Sequence, residues 1–169
     1  MKLKYFSWLP AAIVMLLIFC YSAKPAVSSN ENSMYIANHI LNSYEKLMNV
    51  NYEGTKRTNI LNLINHIVRK GAHFSEYAVL ACALAFHLLI LGKKDQLLLI
   101  IPIVLAAFYA STDEYHQTFV AGRSGQVMDV LIDSSGAVVG ATLFMLVKQR
   151  AAKRHIKKLN KDAGLKQLK

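Results

Sequence analysis

A chain of 169 residues that is 54% hydrophobic has room for one compact domain, and its apolar residues fall in blocks rather than in the scattered amphipathic pattern of a water-soluble domain of this length. Its formal net charge of +10 is concentrated in the C-terminal tail, where Lys148, Arg150, Lys153, Arg154, Lys157 and Lys158 follow an apolar run. Beside a membrane span such a run sets topology and attracts anionic headgroups. No recognition module accompanies it, so nucleic acid is excluded as a partner and membrane lipid is expected.

Apolar residues gather in four blocks, at about 5–21, 74–91, 96–111 and 127–147. A hydrocarbon core of roughly 30 Å needs about 20 helical residues, so each block spans once the polar residues at its ends are counted as interfacial. The continuous runs lack the period-two alternation of barrel strands, and backbone in lipid must satisfy its own hydrogen bonds. An all-α integral membrane four-helix bundle is predicted over 1–147, followed by a basic tail over 148–169.

In the first block, Pro10 falls near the first helical turn, where a missing N–H costs little. Met1 to Lys4, the apolar run and Ser22-Ala23 also resemble a signal peptide, whose cleavage would leave three spans. The length of the run favours an uncleaved anchor. Phe19 is too large ahead of Cys20 for a lipoprotein site, and Cys20 and Cys82 read as buried small hydrophobes.

Between the first two blocks, Ala37, Ile40, Leu41, Tyr44, Leu47 and Met48 recur at helical spacing, as do Ile60, Leu61, Ile64, Ile67 and Val68. Two amphipathic helices, lying on the membrane surface or capping the bundle, are expected, with a break over 49–54. Gly92 to Asp95 forms a short turn that makes the second and third spans a hairpin. The third span is the shortest, and Pro102 predicts a kink in it. Gly136 and Gly140 form a GxxxG pair in the fourth span, and Ala78, Cys82 and Ala85 are small residues on the second, so close helix approach is expected.

Thirteen of the twenty Lys and Arg residues lie at the N-terminus, in the 92–95 turn or in the tail. Basic loops stay inside, so both termini are expected in the cytoplasm of a multi-pass cell-membrane protein, with 22–73 and 112–126 outside.

The charges of the apolar blocks all fall at that outer end. Arg69, His73 and Glu76 follow at steps of four and three, and Lys70, His73 and Tyr77 at three and four, so one helix face carries them. Asp113, His116 and Gln117 share a face, with Glu114 beside them; Asp129 and Asp133 are one turn apart, and Arg123 precedes them. A carboxylate at the centre of a span costs about 2.5 to 3.5 kcal/mol on the insertion scale and faces a bundle interior or a wet cavity. Ion pairing alone would account for any one of these pairs, but His73, His116, Tyr77 and Gln117 add groups that pairing does not require. The set therefore reads as a site for acid–base chemistry or for an ionic ligand. His73, Glu76, Asp113, Glu114 and His116 have the ligand types of a metal site, yet Arg69, Lys70 and Arg123 beside them favour an anion. No metal is expected. His87, mid-span without a charged neighbour, reads as a hydrogen-bonded packing residue, and His39, His66 and His155 as surface residues.

The motifs Arg69-Lys70-Gly71-Ala72-His73-Phe74-Ser75-Glu76-Tyr77, Asp113-Glu114-Tyr115-His116-Gln117 and Gly122-Arg123-Ser124-Gly125-Gln126, followed by Asp129 to Asp133, together resemble the VanZ family of small bacterial membrane proteins. The resemblance covers most of 4–147. It implies a link to resistance against the glycopeptide antibiotic teicoplanin and marks Lys70, His73, Glu76, Tyr77, Asp113, Glu114, His116, Gln117, Arg123, Gly125 and Asp129 as motif residues. Asp133 and Ser134 stand where many relatives have Asn and Thr. No acyl-carrier or nucleotide motif is present and no cofactor is expected.

Two functions follow as expectations. In one, the protein binds an anionic lipid or lipid-linked envelope component, or an amphiphilic antibiotic, at the outer leaflet, with Arg69, Lys70 and Arg123 gripping it and Tyr77, Gln117 and Asp133 assisting. In the other it is an intramembrane enzyme acting on a lipid or lipid-linked phosphate, with His73 or His116 as acid/base and a carboxylate among Glu76, Asp113, Glu114 and Asp129 orienting it. A transporter is disfavoured, because charges at one end offer no continuous polar path.

Overall fold

In the computed structural model, which describes residues 3–167, the protein is all-α. A single turn, α1 (Leu3–Phe6), leads into α2 (Leu9–Ser22), followed by α3 (Ala26–Met48), α4 (Gly54–Ile90), α5 (Asp95–Gln117) and α6 (Val127–Gln167). Four segments are long and apolar enough to cross a membrane: Lys4–Ser22, Gly54–Ile90, Asp95–Gln117 and Val127–Asn160. Pro10 lies in the first turn of α2 as its missing N–H requires. Asn49, in the left-handed region at φ 51°, ends α3, and Gly54 at φ +53° opens α4.

Three helices differ in extent from the expectation. The second amphipathic segment is not a separate surface helix but the first half of α4, which runs unbroken into the span. At about 1.5 Å per residue its 37 residues reach well beyond a hydrocarbon core of roughly 30 Å. No Gly-Pro punctuation separates the two halves, and Gly71 alone does not break a helix. α3 packs back along this segment with Ala37 and Leu41 buried, held by Asn65 Nδ2 donating to Asn30 Oδ1 at 2.7 Å and Arg57 Nη2 to Asn42 Oδ1 at 2.7 Å. Likewise α6 does not stop at Val147 but carries the basic residues onward as helix. α5 runs from Asp95, one residue before the expected start, to Gln117 and continues through a buried Pro102.

The core is built from small residues. Ala81, Ala85, Ala106, Ala110, Ala137 and Ala141 are fully buried, while Leu16, Ile100, Val104, Phe108 and Leu143 point outward. That inversion suits lipid, where association rests on close backbone packing rather than on hiding large apolar side chains. α4 and α6 run parallel and touch backbone to backbone: a Cβ on Gly136 would lie 2.1 Å from Phe74 O, and one on Gly140 2.1 Å from Ala78 O. The expected role of the glycine pair is thus met. Cys82 Sγ lies 3.1 Å from Gly140 O, whereas Cys20 is exposed on the outer face of α2 rather than buried. His87 is hydrogen-bonded as expected, its Nδ1 2.8 Å from Ser7 Oγ.

Candidate functional site

The parallel α4–α6 pair places the first half of the site. One turn before the Phe74–Gly136 contact, Lys70 Nζ forms an ion pair with Asp129 Oδ1, and His73 Nδ1 lies 3.9 Å from Asp133 Oδ1. Asp133 is fully buried, and neither of its carboxylate oxygens has a hydrogen-bond partner among the described residues. The same is true of His73 Nδ1, Tyr77 Oη and Asp113 Oδ1. Buried polar atoms are almost always satisfied in folded proteins, so a group of them at one end of a bundle marks a candidate functional locus.

The second half is organised by Gln117 at the end of α5. Its Nε2 donates to Asp113 Oδ2 and Glu114 Oε1, both at 3.1 Å, and its Oε1 accepts from Arg123 Nη1 at 2.9 Å. Glu114 Oε2 accepts the Gln126 backbone N–H at 2.9 Å. That approach requires glycine next door, because a Cβ on Gly125 would lie 2.6 Å from Glu114 O. Arg123 also reaches α2: its Nε donates to Lys24 O at 2.9 Å and its Nη2 to Tyr21 O at 3.4 Å, supplying the end of that helix with a cation and donors. Burial first, and then the Arg69 guanidinium, lower the pKa of Arg123 from its ordinary value.

Two cavities adjoin at this end. One, of about 220 Å³, lies among α2, α3 and α4 with mostly apolar walls, including Ile18, Ile36, Val68 and Ala72; Glu76 and Asp113 also line it. The other, of about 230 Å³, is mostly polar and lies between α4 and the α5–α6 connection, lined by His66, Lys70, Gln117, Ser124, Gln126 and Asp129. Arg69, His73 and Arg123 line both. Lys70 is paired with Asp129, and Arg123 is held by Gln117 and two carbonyls. Arg69 has no ion-pair or hydrogen-bond partner among the described residues.

The structure therefore divides the residues singled out in the sequence. Arg69, Lys70, His73, Glu76, Asp113, Gln117, Arg123 and Asp129 line a cavity. Glu114, Tyr77 and Asp133 are buried but line neither cavity. His116 lines neither: its ring faces Phe19 of α2 at 4.8 Å. Sequence reasoning overlooked the α3 wall of Ser29, Asn32, Ser33 and Ile36. Their i, i+3, i+4, i+7 spacing was the available signal, hidden because the apolar stripe of α3 drew the reading. His66, read as a surface residue, is exposed and also lines the polar cavity. Among the described residues no three His, Cys, Asp or Glu are grouped to hold a metal ion.

A family model described as VanZ/LLP1 matches residues 7–148, a stretch that contains every motif quoted from the sequence. No curated protein and no solved structure matches the chain.

Proposed function

We propose, from the premise that the chain belongs to the VanZ/LLP1 family, that this multi-pass membrane protein binds an anionic component of the cell envelope at the paired cavities and so contributes to protection against teicoplanin-type glycopeptides. The observation that carries this reading is Arg69. It is half-buried, has no partner among the described residues and lies on the wall common to both cavities, with Arg123, Lys70 and His73 around it. A guanidinium in that position is matched to a carboxylate or phosphoryl group. The bias of thirteen basic residues out of twenty supports both termini in the cytoplasm and the cavities on the outer side. Reaction of a cysteine placed in the tail with a membrane-impermeant thiol reagent in intact cells would overturn that orientation.

The test is a pair of changes at the guanidinium itself, Arg69→Gln and Arg69→Met, each of which removes its charge while keeping much of the side chain. Both are expected to leave membrane abundance and melting temperature close to wild type while protection is lost. Folded, abundant variants that protect as well as wild type would overturn the reading.

A second reading, an intramembrane hydrolase of a lipid phosphate, is favoured by one contact, the 3.9 Å between His73 Nδ1 and buried Asp133 Oδ1. At 3.9 Å the two are not hydrogen-bonded, and closing that gap on substrate binding would let the carboxylate orient the imidazole for proton transfer. Release of phosphate from a lipid phosphate by the purified protein, abolished in His73→Gln, would decide for it.

A further inference from the structure

The two cavities differ in character while sharing a wall, and the difference says what kind of anion the site takes. A soluble anion would need only the polar cavity with Lys70, His66 and the Arg69 guanidinium. The neighbouring cavity, with Ile18, Ile36, Val68 and Ala72 among its walls, would contribute nothing to it. Taken together the two volumes fall in the range of ordinary small-molecule sites, roughly 300 to 1,000 Å³. Apart from Arg69, His73 and Arg123 on the shared wall, the charged residues of the apolar cavity are Lys24, Glu76 and Asp113, which leave no surplus of positive charge there for a second anion. Arg69 and Arg123 are two like charges lining the same two cavities, so an anion between them would offset their repulsion.

We infer that the ligand is an amphiphile with a phosphoryl headgroup and a slender apolar chain, bound with the phosphoryl group between Arg69 and Arg123 on the shared wall and the chain in the cavity between α2, α3 and α4. The phosphoryl group has the tetrahedral array of acceptors that two guanidiniums can share: Arg69 has no partner among the described residues, and Arg123 keeps two of its five N–H groups beyond those it donates to Gln117 and the α2 carbonyls. The chain covers apolar wall that no headgroup can cover, and each buried methylene adds about 0.8 kcal/mol, which makes chain length a measurable variable. Bulk in the headgroup extends into the polar cavity, toward Ser124 and Gln126. This assignment rests on the anion-binding reading above and adds to it the chain subsite and the phosphoryl group.

The experiment uses the full chain in nanodiscs of zwitterionic lipid and compares three probes by calorimetry: decyl phosphate, inorganic phosphate and decanol. Decyl phosphate is expected to bind at least about tenfold more tightly than either of the others, a difference of about 1.4 kcal/mol. Arg69→Gln should weaken decyl phosphate by roughly tenfold to a hundredfold, as for loss of a charge-assisted hydrogen bond, and leave decanol unchanged. Ala72→Phe, which fills the apolar cavity, should bring decyl phosphate down to the affinity of inorganic phosphate; Ile36→Trp repeats the test from α3 should that variant fail to fold. If inorganic phosphate binds wild type as tightly as decyl phosphate, the chain subsite is wrong while the anion site stands. If neither phosphate binds, both this assignment and the anion-binding reading fall.

Discussion

The two ends of the α4–α6 contact are built on opposite principles although the same two helices make both. From Phe74 and Gly136 to Ala78 and Gly140 the backbones touch and there is no room for a methyl group. One turn earlier the same pair carries Lys70, His73, Asp129 and Asp133, and a fully buried carboxylate lacks any hydrogen-bond partner among the described residues. The close-packed stretch resembles a hinge pin for the open one: it sets the spacing of the helices, and the polar side chains beyond it are held at distances they would not choose for themselves. On the proposed function, stability belongs to the first region and binding to the second, which is how binding sites are commonly tolerated in marginally stable folds.

The sharpest way to break that comparison is at the glycines. Gly140→Ala and Gly136→Ala each push a Cβ to 2.1 Å from a backbone oxygen that cannot swing away, so the helices must separate. Overpacking of this kind costs about 1 to 3 kcal/mol per site, and a marked fall in melting temperature is expected, with decyl phosphate binding lost as the site spreads. Gly71→Ala on α4, whose added Cβ meets nothing within 4 Å, is the control and should leave the melting temperature unchanged or raised. Equal behaviour of all three variants would show that the helix contact does not hold the site.

An intermediate effect is expected at the Lys70–Asp129 pair, whose side chains are 23% and 13% exposed. Lys70→Met leaves a largely buried carboxylate uncompensated; the loss is below the roughly 3 to 5 kcal/mol of a fully buried pair because some solvent reaches both groups. Adding Asp129→Asn should restore much of the melting temperature without restoring ligand binding. A double variant as unstable as the single one would mean that the pair holds the fold through something other than charge.

The smallest effect belongs to the far end of the bundle. Lys148 pairs with Asp95, which is 59% exposed, and such surface pairs contribute about 0 to 1 kcal/mol. Lys148→Ala should therefore shift neither melting temperature nor binding measurably. A fall as large as that of Lys70→Met would erase the distinction between the two ends.

Much of the architecture was legible because lipid imposes simple rules. Apolar runs long enough to span, a GxxxG pair and basic residues grouped on alternate connections are local or additive features, and the four spans and the α4–α6 contact follow from them. The convergence of Arg69, Lys70, His73, Asp113, Arg123 and Asp129 followed in turn from hairpin geometry, which puts alternate helix ends at one depth. Legibility failed where the outcome depended on what a segment packs against. The amphipathic stretch before Gly71 has the same pattern whether it lies flat on a membrane or continues a span, and only α3 folding back along it decides the matter.

The residue pattern by itself thus determined that this chain is a helical membrane protein with its charges at one end, since burying a charge in hydrocarbon is too costly to be placed at random. The tertiary structure alone decided which of those charges are spent on one another. Lys70 is paired with Asp129, Arg123 donates three of its five N–H groups to Gln117 and the carbonyls that end α2, and the His116 ring faces Phe19. Spacing along a helix cannot distinguish them from Arg69, because pairing depends on distances between helices set by backbone contacts at Gly125, Gly136 and Gly140. Arg69 is left facing both cavities because no acceptor among the described residues reaches it.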